Sequence, residues 1–487
     1  MKLKIKISTI LFILLLSASA FAQEDTYIVR FNDSMQLFSL RDGDGIDFAV
    51  ATQEELQEYI EAGIVDHYEP NYEVFAIETN AEEAESTVPE IVPNWNFNMV
   101  NAAFAYNLGA MGNEVKVAVI DSGLHSDNKI KAQILSGYDF VNDIKTDETV
   151  RNDDPRGGYH GTVVSSIIAR SNTGIGTGIA ARAYIMPLKV LDYNEEKETN
   201  TGNVADIISA IDYATKADCD VINLSLGIEG EGIGPQNLTM LSEKIKEAID
   251  KGIIVIAAAG NNGSSDYAYP ASLDGVISVA SVDSNGERSS FSQYNDKVFI
   301  SAPGGWMKVI VNYAVVDGRE VGTPVTTYGT SLAAPHVSAL AAIAKCIKPD
   351  IDTVQFKTLL QNTSEKTQRD DYLGYGIINC ESAIKKLIEG RKIYISPVWI
   401  TDVNEANYTG KECEAIIYNN TDDEIDFEMI FALYNTDKSL SMVKKGQGKL
   451  PGGASGPWKV KYNGGNVKYM VWDSLTNMVP LTPSSFK

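Results

Sequence analysis

Three polar residue types stand at the ends of apolar segments and could together perform nucleophilic catalysis. Ser331 leads an alanine-rich run that continues to Cys346. His160 leads a second apolar run, and Asp121 ends a third. A serine hydroxyl is a poor nucleophile at neutral pH, so it needs a neighbouring base that is itself oriented by a third group. Serine, histidine and aspartate can supply these three functions if the fold brings them together.

The hydrophobic pattern predicts the elements that carry these residues. The run from Val115 to Asp121 predicts a buried strand of parallel type. The runs that begin at His160 and Ser331 predict buried helices, and a helix N-terminus offers N–H donors and a positive dipole end to a developing anion. Pro335 is expected in the first turn or so of its helix, where a missing N–H costs little. Taken alone, the Ser331 segment could also be an ordinary core helix.

The order of strand-end Asp, helix-head His and helix-head Ser resembles the subtilisin-like serine proteases. The segments that carry this resemblance are Asp121-Ser122-Gly123, His160-Gly161-Thr162-Val163 and Gly329-Thr330-Ser331-Leu332-Ala333-Ala334-Pro335. The resemblance extends from about Trp95 to Leu387. It implies that His160 accepts the Ser331 proton, and that Asp121 holds the imidazole tautomer and stabilises its cation.

A fourth residue of the resemblance is Asn261, in the run Ala257-Ala258-Ala259-Gly260-Asn261-Asn262-Gly263. In the family the Asn after Ala-Ala-Gly donates its amide to the oxyanion of the tetrahedral intermediate, which implies that role for Asn261. The alternative is an Asn in a turn, since Asn-Gly pairs form turns routinely.

The resemblance also implies edges that pair with an extended peptide and walls of the pocket for the residue before the scissile bond. Such edges bind peptide by adding a strand. Without the other motifs, small residues at these positions would indicate only tight packing. The implied substrate-binding residues are Gly202, Ser225, Leu226, Gly227, Ala259 and Gly260.

Strands and helices alternate through the middle of the chain, which predicts an α/β fold with a mostly parallel sheet flanked by helices. The predicted strands after Asp121 are Tyr184 to Val190, Val221 to Gly227 and Ile253 to Ala259, and the predicted helices are Val204 to Thr215 and Leu241 to Lys251. Ligands bind such sheets at the carboxyl ends of the strands, which is where Asp121, Gly227 and Asn261 fall.

Composition excludes some classes of function. A formal net charge of −24 over 487 residues argues against a nucleic-acid partner, because phosphate binding needs clustered Lys and Arg. Four cysteines are too few for a disulfide framework in a chain of this length. Cys219 is expected to be a small core residue, and a bridge between Cys346 and Cys380 is left open.

The N-terminus has the pattern of a secretory signal over residues 1–22: a basic head, an apolar segment and the cleavage pattern Ala20-Phe21-Ala22. No transmembrane segment is expected after its removal. Residues 23–78 predict a small α+β domain, with a capping box at Thr52 and Glu55 and a closing strand that ends at Ile77. This domain resembles the inhibitory propeptide of the family, so the chain's own propeptide is an expected inhibitor. Residues 79–93 predict an acidic linker that contains the maturation cleavage site.

The last two regions are a peptidase domain at residues 94–390 and, at residues 391–487, a small β-sandwich-like domain. The latter prediction rests on short alternating runs separated by Asn-Asn and Gly-Gly pairs. Its role is open: a surface, another protein or the protease itself could be its partner.

No cofactor is expected for the chemistry, and a structural calcium ion is a possibility implied by the family. Residues 171–176 resemble the family's calcium loop, although a Gly-rich turn after a helix is an equal interpretation. The segment 124–129 departs from the family pattern after Asp121, which argues against a calcium site there. The metal ligands are unknown.

The sequence therefore predicts a secreted serine endopeptidase, made as a zymogen, that hydrolyses protein and peptide substrates. The matched pocket walls are small and apolar and contain no carboxylate, so we expect an apolar preference before the scissile bond. The nearest acids, Asp266 and Asp274, are expected to face solvent. The rival hypothesis is a catalytically silent protein-binding module on the same scaffold. An esterase or lipase would show Gly-x-Ser-x-Gly, which does not surround Ser331.

Overall fold

The computed structural model describes residues 26–32, 48–77, 94–125, 133–144, 153–170, 178–228, 233–316, 319–391, 393–396, 399–405, 408–434, 440–462 and 467–472. The predicted signal segment, the predicted linker at 79–93 and the candidate calcium loop at 171–176 lie outside these residues.

The N-terminal region forms a small antiparallel sheet with a helix. Its elements are β1 (Thr26–Phe31), β2 (Phe48–Thr52), α1 (Gln53–Glu61), β3 (Val65–Pro70) and β4 (Glu73–Ala76). β1 lies between β2 and β3. The predicted capping box is present, because Glu55 N donates to Thr52 Oγ1 at 3.3 Å and Thr52 N donates to the Glu55 carboxylate at 2.9 Å. β4, expected to close this sheet, pairs instead with strands of the following region.

The central region contains the alternating strands and helices. In chain order they are α2 (Trp95–Met99), α3 (Ala103–Asn107), β5 (Lys116–Asp121), β6 (Tyr138–Asp139), α4 (His160–Ala169), β7 (Tyr184–Lys189), β8 (Leu191–Asn194), β9 (Thr199–Asn203), α5 (Val204–Lys216), β10 (Val221–Leu224), β11 (Leu226–Ile228), α6 (Thr239–Asp250), β12 (Ile254–Ala258), β13 (Ile277–Val282), β14 (Val298–Pro303), β15 (Met307–Val316), β16 (Arg319–Thr327), α7 (Thr330–Ile347), α8 (Thr353–Thr363) and α9 (Cys380–Leu387).

The centre of the fold is a parallel sheet with helices on both faces, as the sequence predicts. Its strand order over the described residues is β14-β13-β12-β10-β5-β7-β6. Side chains alternate between the two faces, as they must in a strand. In β5, Val117 and Val119 pack in one core with helices α4 and α7, whereas Ala118 and Ile120 pack in the other with α5 and α6.

The predicted strand from Val221 to Gly227 is in fact two strands in different sheets. β10 lies in the central sheet, and the chain then leaves it at Ser225. β11 joins a four-stranded sheet with the order β11-β4-β9-β8. The hydrophobic pattern could not reveal this break, because residues 221–227 are all buried, on both sides of the break.

Helix α7 has 18 residues, and nearly all of them are buried. Among the described residues it is the one helix long and apolar enough to cross a membrane by length and composition, but 94% of it is buried inside the protein. Pro335 is its sixth residue and therefore lies in the second turn, not the first. Proline has no backbone N–H, so the helical hydrogen bond from residue 335 to the carbonyl oxygen of Ser331 is absent.

Two antiparallel sheets follow the central region. Their strands are β17 (Ile393–Ile395), β18 (Trp399–Glu405), β19 (Tyr408–Asn419), β20 (Ile425–Tyr434), β21 (Leu440–Leu450), β22 (Ser455–Tyr462) and β23 (Val467–Trp472). In one sheet β19 pairs with β17, β18 and β22, and in the other β20 lies between β21 and β23.

The first C-terminal sheet packs directly on the central region. Tyr394 and Tyr418 belong to the same buried cluster as residues of α3, α7 and α9. The ring of Tyr418 meets that of Phe104 edge to face, with 5.8 Å between centroids. The Asn420 amide donates to the carbonyl oxygens of Ile388 and Arg391 at 3.1 and 3.0 Å.

The possible bridge between Cys346 and Cys380 does not form. Cys219, Cys346 and Cys380 are free thiols, and Cys219 is a buried core residue as expected. Cys346 Sγ instead lies 4.0 Å from Asn113 Oδ1, and Cys380 is the first residue of α9. Burial raises the pKa of both thiols to about 12.

Candidate active site

The fold brings Asp121 and His160 into direct contact. Asp121 is the last residue of β5 and is fully buried, and His160 is the first residue of α4. His160 Nδ1 lies 2.8 Å from Asp121 Oδ1, a distance at which the ring N–H donates to the carboxylate. The same oxygen accepts from the backbone N–H of Ser122 at 2.7 Å. The carboxylate therefore fixes which imidazole nitrogen carries the proton.

Ser331 is the second residue of α7, so its backbone N–H is free of the helix ladder. Gly329, the residue before the helix, has φ of 145°, a conformation that residues with a Cβ rarely adopt. A Cβ atom at Gly329 would lie 2.9 Å from Ser331 Oγ, 3.1 Å from Asn261 Nδ2 and 3.2 Å from the Ile77 carbonyl oxygen. These three groups thus surround one point, which only a glycine leaves open.

Asn261 is held with its amide nitrogen pointing at this point. Its Oδ1 accepts from the backbone N–H and from the hydroxyl of Thr330, both at 2.9 Å. Because the oxygen is engaged in this way, Nδ2 is left to donate outward, and it donates to the carbonyl oxygen of Ile77 at 3.0 Å. This orientation is what stabilisation of an oxyanion requires.

Ser225 lies between β10 and β11 and belongs to neither strand, and its side chain supports the start of α7. Its hydroxyl donates to the carbonyl oxygen of Ser331 at 2.8 Å, which is the acceptor that Pro335 leaves without its usual helical partner. The Asn223 amide donates to Ser225 Oγ at 2.9 Å, and the Ser338 hydroxyl donates to Asn223 Oδ1 at 2.8 Å. A buried polar network therefore fixes the turn of α7 that carries Ser331.

The cleft beside these residues is filled by β4 of the N-terminal region. β4 pairs antiparallel with β11 on one side and with β9 on the other. Val74 is opposite Gly202 and Ala76 is opposite Leu226. Ile77 continues the strand, with its N–H directed at the Ser225 carbonyl oxygen at 3.5 Å.

Four of the predicted substrate-binding residues meet this strand: Gly202, Leu226 and Gly227 pair with β4, and the Ser225 carbonyl oxygen faces the Ile77 N–H. A Cβ atom on Gly202 would lie 2.0 Å from the carbonyl oxygen of Val190, and one on Gly227 would lie 3.1 Å from the Ile77 side chain. At Gly260 a Cβ would collide with Gln293 Oε1 at 1.7 Å. Ala259 is buried next to Gly260. Gly227 therefore leaves room for the Ile77 side chain, whereas Gly202 and Gly260 leave room for Val190 and Gln293 of the central region itself.

The two acids nearest to Asn261 do face solvent. Asp266 is exposed and accepts from Ser264 Oγ. The Asp274 side chain is 99% exposed and pairs with Lys297. Neither supplies a buried negative charge to the space that Ile77 occupies.

Two further histidines of the chain have other partners. His336 is fully buried in α7, where its Nδ1 lies 2.7 Å from the Leu332 carbonyl oxygen and its Nε2 3.0 Å from Asn96 Nδ2. Burial lowers the pKa of His336 to about 4. The ring of His125 lies edge-on to Tyr159 at 5.1 Å.

Sequence reasoning missed three buried residues beside Asp121 and His160. Asp153 accepts hydrogen bonds from Ser122 and from Thr162, which lies in the first turn of α4. Ser122 and Thr162 are part of the matched motifs, but nothing in the sequence distinguishes Asp153 from the adjacent Asp154. Nothing in the sequence indicated that Thr330 orients Asn261.

Within the part of the chain that the structure describes, no group of three or more His, Cys, Asp or Glu side chains is arranged to hold a metal ion.

Comparison with known proteins gives consistent matches. The family model described as the subtilase family, Peptidase_S8, matches residues 112–376, just over half of the chain. The thermostable alkaline protease of Halalkalibacterium halodurans is 34% identical over 316 residues, which cover 65% of this chain and 78% of that protein. Subtilisin Savinase of Lederbergia lenta is 34% identical over 294 residues, which cover 60% of this chain and 98% of that protein.

A solved structure has the same fold. It is a protease from Pseudoalteromonas arctica, with a TM-score of 0.50 and 28% sequence identity, and the match covers 61% of this chain and 98% of that one. The family match ends at residue 376. The two C-terminal sheets, which begin at Ile393, lie beyond it.

Proposed function

The chain belongs to the subtilase family and is a serine-type endopeptidase, and on that premise we propose that Asp121, His160 and Ser331 are its catalytic triad. Ser331 Oγ attacks the scissile carbonyl carbon, and His160 takes the hydroxyl proton and later donates it to the leaving amine. Asp121 holds the imidazole in the required tautomer and stabilises its cation. The 2.8 Å contact between Asp121 and His160 supports this assignment.

The oxyanion of the tetrahedral intermediate is stabilised by Asn261 Nδ2 and by the backbone N–H of Ser331. The observation that carries the proposal is the 3.0 Å hydrogen bond from Asn261 Nδ2 to the carbonyl oxygen of Ile77. That oxygen ends an extended strand bound in the cleft, as a substrate carbonyl would be.

Residues of the N-terminal region act as an intramolecular inhibitor. The maturation site in this proposal is the bond between Ile77 and Glu78, just before the linker of residues 79–93 in which the sequence predicted it. β4 enters between β9 and β11 and thereby blocks both edges to which a substrate strand would add. Glu69, just before β4, is buried and accepts from the backbone N–H of Met240 at 3.2 Å, in the first turn of α6. A carboxylate at this helix N-terminus strengthens the attachment of the region.

Specificity before the scissile bond is apolar and broad. Ile77 occupies the position of that residue, with its side chain against Gly227 and in a common buried cluster with Ala258. A cation buried there would lack a counter-ion, since Asp266 and Asp274 are exposed. We expect Leu, Met, Phe or Tyr before the cleaved bond in proteins and peptides.

The enzyme is exported. This proposal depends on the signal pattern of residues 1–22 and on the zymogen-like arrangement of β4. Cell fractionation of the producing organism tests it, since the mature chain should be found outside the cytoplasm and should lack residues 1–22.

Labelling with a serine-directed fluorophosphonate tests the triad assignment. The mature protein should be labelled at Ser331, and the variants Ser331→Ala and His160→Ala should not be labelled. Ser242→Ala, which changes a serine of α6 whose hydroxyl donates to the Leu238 carbonyl oxygen outside the active-site network, serves as the matched control and should still be labelled. A protein that folds and binds peptide but takes no label would favour the silent binding module instead.

A further inference from the structure

One buried carboxylate next to the proposed triad has no part in the mechanism above. Asp153 is 2% exposed and lies in the loop that precedes α4. Burying a carboxylate is costly unless hydrogen bonds compensate for the lost hydration. The partners of Asp153 therefore indicate what this charge does in the folded protein.

One oxygen of Asp153 holds the beginning of the His160 helix. Asp153 Oδ2 accepts from the backbone N–H of Thr162 at 2.8 Å and from its hydroxyl at 2.5 Å. The residue at the usual capping position, Tyr159, has φ of 55° and makes no side-chain cap. Asp153 thus supplies, from outside the helix, the acceptor that an N-cap residue normally provides. Its charge also lies at the positive end of the helix dipole.

The other oxygen of Asp153 holds the residue that follows Asp121. Ser122 Oγ lies 2.8 Å from Asp153 Oδ1 and 3.2 Å from Asp121 Oδ1. Ser122 Oγ also accepts from the backbone N–H of Gly161, the second residue of α4, at 2.9 Å. A single hydroxyl therefore separates the two carboxylates, and it contacts the helix turn that begins with His160.

The proton count at Ser122 couples the two carboxylates. A serine hydroxyl carries one proton, so it donates fully to one acceptor at a time. The shorter distance favours Asp153 while Asp153 is ionised. If Asp153 is protonated, its own O–H can donate to Ser122 Oγ, and the serine proton then turns to Asp121 Oδ1. That oxygen is the one to which His160 donates, so the second donor competes with the imidazole.

We propose that Asp153 is a positioning residue of this endopeptidase: through Ser122 and the first turn of α4 it fixes the placement of Asp121 relative to His160, and its negative charge stabilises the imidazolium that forms during the reaction. The inference rests on the triad proposed above. Asp153 touches neither substrate nor reacting atoms, and it acts through Ser122 and Thr162.

The groups that face Asp153 belong to three elements. Asp121 ends β5 and His160 begins α4, whereas Lys189, at the end of β7, donates to the Ser122 carbonyl oxygen at 2.9 Å and to Asp192. The backbone N–H of His125 donates to Thr162 Oγ1. Burial raises the pKa of Asp153 to about 6, and the charge of Asp121 adds to the rise, while the hydrogen bonds from Thr162 and Ser122 oppose it. The carboxylate is thus ionised at neutral and alkaline pH.

The variant Asp153→Asn tests the proposal, because an amide has the shape of the protonated acid and carries no charge. We expect kcat about tenfold lower with KM changed less than about twofold, since the loss concerns a charge that forms only during the reaction. The acid limb of kcat/KM should move to lower pH by about one unit, because the Ser122 hydroxyl then turns to Asp121 Oδ1 and weakens the hydrogen bond that favours the charged imidazole.

Asp154→Asn is the matched control. It makes the same chemical change one residue away, on a carboxylate that pairs with Arg156 at the surface and not with Ser122. Its kcat and pH profile should equal those of the parent enzyme. Ser122→Ala removes the link itself, so adding Asp153→Asn to it should shift the acid limb far less than Asp153→Asn does alone.

Three results would overturn the proposal. An Asp153→Asn enzyme with lower stability but an unshifted acid limb and parental kcat would make Asp153 a purely structural helix cap. Fully additive effects in the double variant would exclude action through Ser122. If Asp153→Asn does not fold, Ser122→Ala alone decides, since an unshifted acid limb there contradicts the coupling. Activity that survives His160→Ala would instead refute the triad, which separates the two failures.

Discussion

The Asn261 side-chain amide donates to the Ile77 carbonyl oxygen at 3.0 Å, although the two residues are 184 positions apart in the chain. The contact joins the N-terminal region to the end of a strand in the central sheet. Its geometry depends on Thr330, which engages the other atom of the amide. The first prediction therefore concerns Asn261 itself.

Replacing Asn261 with Ala should lower kcat roughly 100- to 1000-fold and leave KM nearly unchanged, because the lost donor is used mainly in the transition state. Steady-state kinetics on a peptide substrate measure both constants. Thr330→Val keeps the backbone N–H that donates to Asn261 Oδ1 but removes the hydroxyl that donates to the same oxygen, so it should give a smaller loss of kcat in the same direction. A raised KM with intact kcat would show that Asn261 serves substrate binding.

Ser331→Ala should abolish both proteolysis and removal of residues 23–77. In the proposed zymogen the Ile77–Glu78 bond is cut by the chain's own Ser331. Intact-mass measurement of the purified proteins should give a mature chain that begins at Glu78 for the parent, and an uncut chain for the variant. A variant preparation free of other proteases that still yields this terminus would disprove self-processing.

Residues 24–77 added in trans should inhibit the mature enzyme tightly, because β4 pairs with β9 and β11 on both sides and Glu69 is anchored at α6. A matched peptide that ends at residue 72 lacks β4 and should inhibit much more weakly. Inhibition constants from progress curves make the comparison. Equal inhibition by both peptides would locate the inhibitory contacts outside the cleft.

The pocket that Ile77 fills predicts the bonds that are cut. Mass spectrometry of a denatured protein mixture digested by the mature enzyme should show Leu, Met, Phe or Tyr before the cleaved bond. Gly227→Val should narrow this pocket, since a Cβ atom there already meets the Ile77 side chain at 3.1 Å. It should shift the preference toward Ala and Ser. A dominant Lys or Arg in the parent profile would mean that an acid reaches the pocket.

His336 should make the folded state sensitive to acid. Its pKa is about 4 in the folded protein and about 6.5 when unfolded. Because the unfolded chain binds the proton first, stability is full above about pH 6.5 and falls as the pH drops toward 4, by about 3 kcal/mol. Urea unfolding of Ser331→Ala protein between these pH values measures the slope.

His336→Gln in the same background should have a shallower slope over that pH window, whatever its absolute stability. His125→Gln changes a histidine that is only partly buried, and it should keep the steep slope. An unchanged slope in the His336 variant would assign the acid sensitivity to other groups.

The sequence was sufficient for residues whose position follows from the element that carries them. Asp121, His160 and Ser331 each stand at the end of an apolar run, so their place at the edge of a parallel sheet could be predicted. The runs at β17, β19, β20 and β23 likewise predicted strands that the structure contains.

Other features depend on contacts between distant segments. Asp153 stands in a polar loop, and only the folded chain reveals that its carboxylate is buried between Ser122 and Thr162. The resemblance to a propeptide implied an inhibitory role for this region, but hydrophobic alternation does not specify that β4 pairs with β9 and β11. The sequence did not predict that Pro335 lies in the second turn. A proline there leaves the Ser331 carbonyl oxygen without its helical donor, and the hydroxyl of Ser225, from a distant segment, donates to that oxygen instead.

Tyr394 and Tyr418 pack into the core shared with α3 and α9, and this packing affects how the protein unfolds. A boundary drawn near residue 390 separates two kinds of sequence, but it crosses a continuous apolar interior. The peptidase and the sheet that contains β19 should accordingly melt in one calorimetric transition. That sheet therefore cannot be treated as an independent module. Deleting it from the protein would expose Phe104 and its neighbours to water.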